Sequence, residues 1–117
     1  MKKITDFDEY QKIAMSALYS QFKNKGKQLE YGTLALCGEA GELANVVKHV
    51  VYYKDTKYTG ANIVDELSDV LWYVACVADS LNIKLSEIAT FNIDKVIAKM
   101  KTKSRMNIEA RTKGEVS

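Results

Sequence analysis

Four segments of this sequence repeat their apolar residues about every 3.6 positions, which is the period of an α-helix. The sequence contains no proline, and no segment shows the alternation of apolar and polar residues between turn signals that marks a strand. The predicted fold class is therefore all-α, a bundle of four to five helices. We expect helices over about residues 5–23, 30–51, 62–81 and 86–102, followed by a partly disordered tail over 103–117.

Local sequence signals predict where these helices begin and end. Thr5, with Asp8 three residues later, is the expected N-cap of the first helix. The polar segment 24–27 is expected to separate the first helix from the second. Asn82 is expected to adopt the left-handed conformation that ends many helices, and Ser86 is expected to cap the fourth helix.

Length and composition favour one ordinary globular domain over residues 1–117. The chain is 47% hydrophobic with a formal net charge of +2, and a domain of this size buries a limited share of its surface, which makes a second copy a natural partner. No stretch approaches the roughly 20 apolar residues that a membrane span needs, and no export signal follows the first lysines. We expect a cytoplasmic protein without a membrane or nucleic-acid partner.

The second and third helical segments carry acidic residues in the same arrangement. Glu39 and Glu42 are three residues apart on the second segment, as are Glu66 and Asp69 on the third. At about 100° per residue, each pair lies to the same side of its apolar stripe. Packing the stripes together puts both acidic flanks on one side if the helices are antiparallel, which the short connection over 52–61 permits. We predict two antiparallel central helices with four acids at one cleft.

Four carboxylates at close quarters repel one another, and adjacent apolar surface adds a desolvation cost. A bound cation would relieve both costs. Ligand sets made of oxygen alone select hard ions, and Mg²⁺ commonly completes its shell with substrate phosphates. The pattern therefore favours a Mg²⁺ site for a phosphorylated substrate, while two separate solvated acidic faces remain the alternative on spacing alone.

The segments Gly38–Leu43 and Asp65–Tyr73 resemble the MazG-like nucleotide pyrophosphohydrolases of the all-α NTP pyrophosphatase superfamily. That family carries ExxE on one helix and ExxD on the next, and both motifs are present here. The resemblance implies that the four acids bind Mg²⁺, with Mn²⁺ as a substitute, and that one of them orients or deprotonates the attacking water. It also implies hydrolysis of an NTP or dNTP to the monophosphate and pyrophosphate by a homodimer or a tetramer made of two dimers.

The resemblance extends to residues that would bind the nucleotide. Asn92 and Lys95 match the family's NxxK element, which assists nucleotide binding. Tyr73, four residues after Asp69, is expected on the acidic flank, and the resemblance suggests contact with the sugar or base; packing between helices is the alternative. After Lys99 the sequence departs from the endings of many relatives, so the tail receives no role.

Four further residues have structural interpretations. His49 is expected to be a solvated flank residue, with an approach to phosphate as the alternative. Trp72 is expected to pack against another helix or a second subunit. Gly38 and Gly41 would each cost a helix interior about 1 kcal/mol relative to alanine, which suggests that a neighbouring helix approaches the backbone there.

Two other functions were weighed against hydrolysis. A carboxylate-bridged di-iron protein needs two ExxH motifs, and the single histidine of this chain cannot supply them. A helical module that binds nucleotide or protein without catalysis would keep the same core. The intact set of four acids argues against such a module.

Overall fold

The computed structural model describes residues 2–18, 21–112 and 114, and over these residues the chain forms four α-helices and no strand. Helix α1 spans Phe7–Ser16, α2 spans Lys25–Val51, α3 spans Gly60–Ser80 and α4 spans Leu85–Thr112. The all-α prediction is confirmed. The chain divides into two compact units, Met1–Leu85 with the first three helices and Ser86–Ser117 with nearly all of α4. None of the four described helices is long and apolar enough to cross a bilayer.

Helix α1 is shorter than predicted and has a different cap. The Asp6 carboxylate, not the Thr5 hydroxyl, accepts the backbone N–H groups of Asp8 and Glu9, at 2.8 and 3.0 Å. The positive end of the helix dipole also stabilises a carboxylate at this position. The backbone N–H groups of Ala17 and Leu18 bond to carbonyls three residues back instead of four, so the α-helix ends there although the apolar periodicity continues. Residues 19 and 20 of the predicted helix lie outside the described residues.

Helix α2 begins earlier than predicted. The segment 24–27, predicted to be a break, is the cap and first turn of α2, because the Asn24 side chain accepts the backbone N–H of Lys27 at 2.9 Å. An asparagine cap satisfies one of the donors that the first turn leaves unpaired. Helix α3 begins with a capping box between Thr59 and Asn62, two residues before the predicted start.

The junction between α3 and α4 is partly as predicted. Asn82 has a φ of 56°, which confirms the left-handed residue after α3. Helix α4 begins at Leu85 rather than after a Ser86 cap, and the side-chain oxygen of Gln11 accepts the Leu85 N–H at 3.0 Å. Helix α4 extends to Thr112, ten residues beyond the predicted end at 102, because no proline or glycine interrupts it before Gly114. Residues 113 and 115–117 lie outside the described residues.

Helices α2 and α3 are antiparallel, as predicted. The start of α2 contacts the end of α3: the Lys25 ammonium lies 2.8 Å from an Asp79 carboxylate oxygen, and the Gln28 amide donates to the Cys76 carbonyl at 2.9 Å. Gly32 lets the two helices approach closely, since a Cβ there would lie 3.3 Å from the Cys76 sulfur. Early residues of one helix therefore pair with late residues of the other.

The close approach expected at Gly38 and Gly41 is not found among the described residues. A Cβ built at either position would meet no atom within 4 Å, and both glycines lie on an exposed part of α2. The close helix contact occurs at Gly32 instead. The local helix pattern could not distinguish these glycines, because the difference depends on which face of α2 meets α3.

Helix α1 packs on α3 around a buried glutamine. The Gln11 side-chain amide donates to the carbonyl of Ile83 at 3.0 Å and to that of Ala75 at 3.4 Å, in addition to accepting from Leu85. A small apolar cluster surrounds these bonds and contains Ala75, Ala78 and Leu85, with Tyr10, Met15 and Val74 packed against it. The bonds satisfy polar groups that burial would otherwise leave unpaired. They fix α1 beside the helix that carries Glu66 and Asp69.

Candidate functional site

Three of the four predicted acids meet between α2 and α3. Glu39 on α2 and Glu66 and Asp69 on α3 each offer a carboxylate oxygen, and these atoms all lie within 4.8 Å of one another. The three side chains are half-buried. The antiparallel packing of the helices brings Glu39 together with two acids that lie 27 and 30 residues later in the sequence.

Glu42 is not part of this close group, and its side chain is exposed. The pairing of the helices places Glu39 level with Glu66. Because the helices are antiparallel, Glu42 lies about 4.5 Å from Glu39 in one axial direction, and Asp69 lies about 4.5 Å from Glu66 in the opposite direction. A helical wheel shows rotation about the helix axis and does not show this axial offset. The metal-binding role of Glu42 stays a prediction.

The surroundings of Glu66 raise the affinity of its carboxyl group for protons. Burial and the neighbouring charges of Glu39, Asp65 and Asp69 raise the pKa of Glu66 above its ordinary value. A carboxyl group whose pKa is raised in this way is stabilised by a proton or by a cation placed between it and its acidic neighbours. The site therefore has the electrostatic character expected of an acidic cation centre.

Tyr10 on α1 is a further neighbour of the acid group, and no sequence motif indicated it. Burial and the charge of Asp69 raise the pKa of the Tyr10 phenol, which puts its hydroxyl within electrostatic reach of the acid group. The ring also packs against the core between α1 and α3. Its position on α1 depends on how that helix docks, so no spacing in the sequence could have revealed it.

Tyr73 is half-buried between α2 and α3, next to both the acids and a second tyrosine. Burial, then the phenol of Tyr31, then the charge of Glu39 raise the pKa of Tyr73. The rings of Tyr31 and Tyr73 are 6.4 Å apart, and the Trp72 ring lies edge-on to Tyr73 at 5.0 Å. Tyr31 was missed because it lies eight residues before Glu39, outside any motif.

Two other predicted residues lie on α4. Asn92 and Lys95 are one turn apart and exposed, and the Lys95 ammonium lies 5.8 Å from the centre of the Phe91 ring. They belong to the second compact unit of the chain. Their part in nucleotide binding stays a prediction.

His49 is not the solvated residue that was expected. Its ring stacks on Tyr58 at 4.5 Å and meets Tyr53 edge-on at 5.2 Å, and its Nδ1 lies 3.6 Å from an Asp55 oxygen. The folding back of the α2–α3 connection creates this half-buried environment. His49 is ten residues after Glu39, or about 15 Å along the helix, so it belongs to the connection rather than to the acid group.

The fold and the acid group together define a class, that of all-α proteins with a carboxylate centre between two antiparallel helices. Within this class, the family model described as the MazG nucleotide pyrophosphohydrolase domain matches residues 28–106. The chain belongs to this family, as the resemblance predicted. The matched region contains all four acids together with Asn92 and Lys95, and it excludes α1.

A similar protein is known from a bacteriophage. Gene 37 protein of Mycobacterium phage L5 is 45% identical to this chain over 71 residues, which cover 58% of this chain and 62% of that protein. The chain thus spans less than two thirds of the length of this relative. No solved structure matches the chain.

Proposed function

We propose that this protein is a Mg²⁺-dependent nucleoside triphosphate pyrophosphohydrolase, which cleaves an NTP or dNTP to the monophosphate and pyrophosphate. The observation that carries the proposal is the group of Glu39, Glu66 and Asp69 oxygens within 4.8 Å of one another, in a member of the nucleotide pyrophosphohydrolase family. Family membership supports the reaction class, and the acid group supports the need for a metal.

The donor set fits a hard divalent ion. Carboxylate oxygens are the ligands that Mg²⁺ prefers, and a site with few protein ligands leaves positions for water and substrate phosphates. Glu39, Glu66 and Asp69 would hold the ion, with Glu42 as a further ligand or base on the same flank of α2. The ion supplies phosphate charge neutralisation and a lowered pKa for bound water.

The chain's own residues supply binding and orientation. The raised pKa of Glu66 means that this carboxyl holds a proton more readily than an ordinary glutamate, so the acid group can exchange protons as charge changes nearby. An acid that is not fully engaged as a ligand orients or deprotonates the attacking water. Asn92 and Lys95 would bind phosphate oxygens, and Tyr73 would contact the sugar or base.

We also propose that the enzyme works as a homodimer or a tetramer made of two dimers. Several large apolar side chains are exposed on the helices, including Val51 on α2, Val64 on α3 and Phe91 on α4, at 54%, 66% and 70%. Exposed apolar surface of this extent is typical of association sites. The free thiols of Cys37 and Cys76 fit the reducing cytoplasm, which we propose as the location.

The reaction is tested by incubating the protein with a panel of canonical and modified NTPs and dNTPs, with and without Mg²⁺, and separating the products. The proposal predicts monophosphate and pyrophosphate that form only with the divalent ion present. Diphosphate and phosphate would contradict the proposed reaction. If a calorimetric titration shows that the protein binds Mg²⁺-nucleotide but no nucleotide of the panel is hydrolysed, the non-catalytic module would be favoured.

Variants of single acids test the site. Glu39→Gln and Asp69→Asn remove a charge from the close group with little change of shape and should abolish pyrophosphate release while far-UV circular dichroism stays unchanged. Asp65→Asn removes a charge from an exposed neighbour on α3 and is the matched control, expected to keep most of the activity. Full activity in Glu39→Gln or Asp69→Asn would exclude the acid group as the catalytic centre.

A further inference from the structure

A groove lies between residues 21–23 and the first half of α2. Its volume is about 640 Å³, and its walls include Phe22, Tyr31 and Leu34, with Lys23, Lys27 and Glu30 at the polar edge. An apolar pocket with a few polar groups is the usual character of a small-molecule site. None of these residues was assigned a function from the sequence.

The Tyr31 ring dominates the apolar part of the groove. Tyr31 is 55% exposed, although it touches two other aromatic rings, those of Phe22 at 5.5 Å and Tyr73 at 6.4 Å. These neighbours hold the ring in place and leave a large part of it accessible to a ligand. A fixed, exposed aromatic ring is a stacking platform for a planar heterocycle, because every nucleobase has a π-face.

Tyr73 lies between the groove residue Tyr31 and the acid group. Tyr73 lies beside Tyr31 and is also within electrostatic reach of Glu39. Along α2, Tyr31 precedes Glu39 by eight residues, which is about 12 Å of helix. That separation is on the scale of the extended chain of sugar and phosphates in a nucleoside triphosphate.

The polar edge of the groove offers both kinds of hydrogen-bonding group. The Lys27 ammonium and the Glu30 carboxylate form an exposed ion pair at 3.1 Å, so a donor and an acceptor lie side by side. Adjacent donors and acceptors are also what the edge of a nucleobase presents. The second lysine, Lys23, adds positive charge on the same edge.

We propose that this groove binds the nucleobase of the substrate, stacked on the exposed face of Tyr31, while the triphosphate lies at the acid group. This inference rests on the proposed function and adds to it the location of the base. Tyr31 is then a specificity residue for nucleotides over polyphosphates that lack a base. It makes no contact with the reacting atoms.

The test compares nucleotide with inorganic tripolyphosphate, which has phosphates and no base. In Tyr31→Ala, KM for the best NTP should rise about 5- to 150-fold, the range that loss of one base–aromatic stack produces. Inhibition by tripolyphosphate should keep the wild-type inhibition constant, because the phosphate end is unchanged. Tyr31→Phe should retain a KM close to that of the wild type, since the stacking face is kept.

The matched control is Tyr52→Ala, which removes a 78%-exposed tyrosine at the other end of α2. It should leave both constants unchanged. An unchanged KM in Tyr31→Ala would overturn the proposal, and so would equal weakening of NTP and tripolyphosphate, which would indicate a distorted acid site.

A binding measurement separates this inference from the proposed function. Trp72 is the single tryptophan of the chain and lies in ring contact with Tyr73, so its fluorescence should respond to a base on Tyr31. The probe is a non-hydrolysable α,β-methylene NTP titrated with Mg²⁺ present. If the wild type releases no pyrophosphate, the proposed function fails, while weaker analogue binding to Tyr31→Ala than to wild type would still support the base site, and equal binding would refute it.

Discussion

Replacing Gln11 by leucine tests how α1 is held on α3. The leucine keeps most of the buried volume and removes the hydrogen bonds to the Ile83 carbonyl and from the Leu85 N–H, each 3.0 Å long, and the weaker one to Ala75 at 3.4 Å. A buried polar group that loses its partner costs about 1–3 kcal/mol. The Leu85 N–H is buried and the Ile83 carbonyl is partly buried, so we expect a loss of roughly 2–4 kcal/mol.

The assay is equilibrium urea unfolding followed by circular dichroism, together with a thermal scan. For a domain of this size, 1 kcal/mol shifts Tm by about 4 °C, so Gln11→Leu should melt roughly 8–16 °C below the wild type. Gln21→Leu, at an exposed glutamine, is the control and should stay within about 0.5 kcal/mol of the wild type. A loss below about 1 kcal/mol for Gln11→Leu would refute the claim that these bonds fix α1.

Three further predictions concern charge, metal and backbone. Burial opposes the charge of Asp79, but hydrogen bonds from Gln28 and Lys25 outweigh it and hold the pKa of Asp79 below its ordinary value; this stabilisation is present above the unfolded pKa of about 4 and is lost as pH falls through the folded value. Urea midpoints measured from pH 2 to 7 should therefore show a smaller acid-induced loss in Asp79→Asn than in wild type, and parallel curves would argue against the pair. Because burial and neighbouring charges raise the pKa of Glu66, Mg²⁺ must displace a proton at low pH, so the rise in Tm caused by Mg²⁺ should shrink from pH 8 to pH 5 and be nearly absent in Glu66→Gln. A pH-independent rise that survives in the variant would place the ion elsewhere. Gly41→Ala should raise the free energy of unfolding by about 1 kcal/mol, since no described atom lies within 4 Å of the added methyl group; destabilisation would instead indicate a partner's backbone against this glycine.

The sequence predicted those features that depend on helical periodicity and short-range chemistry. The all-α class and the antiparallel central helices followed from apolar stripes and a short connection. The left-handed Asn82 followed from its place after the last apolar residue of α3. These features are local, or they follow from the choice between parallel and antiparallel packing of two helices.

Helix boundaries were less predictable because neighbouring caps compete. Thr5 and Asp6 are both good capping residues, and the carboxylate is the one that accepts the N–H groups of the first turn. The start of α4 depends on Gln11, which is 74 residues away from Leu85 in the sequence. No local pattern contains that information.

The site was predicted in its composition and only partly in its geometry. The helical phase of the acids correctly predicted that Glu39, Glu66 and Asp69 lie on one side of the helix pair. It ignored the axial offset that leaves Glu42 outside the close group. Tyr31 lies beside Tyr73 because of the registry of α2 against α3, which helical phase alone does not determine.

The proposed mechanism depends on a divalent cation held by Glu39, Glu66 and Asp69. Crystals grown with Mn²⁺ would locate this ion by anomalous scattering, since Mn²⁺ replaces Mg²⁺ and gives its own signal. We expect a peak between these three carboxylates, with oxygen atoms from both helices at about 2.0–2.2 Å. A peak bound elsewhere, or no peak between the two helices at saturating Mn²⁺, would contradict this mechanism.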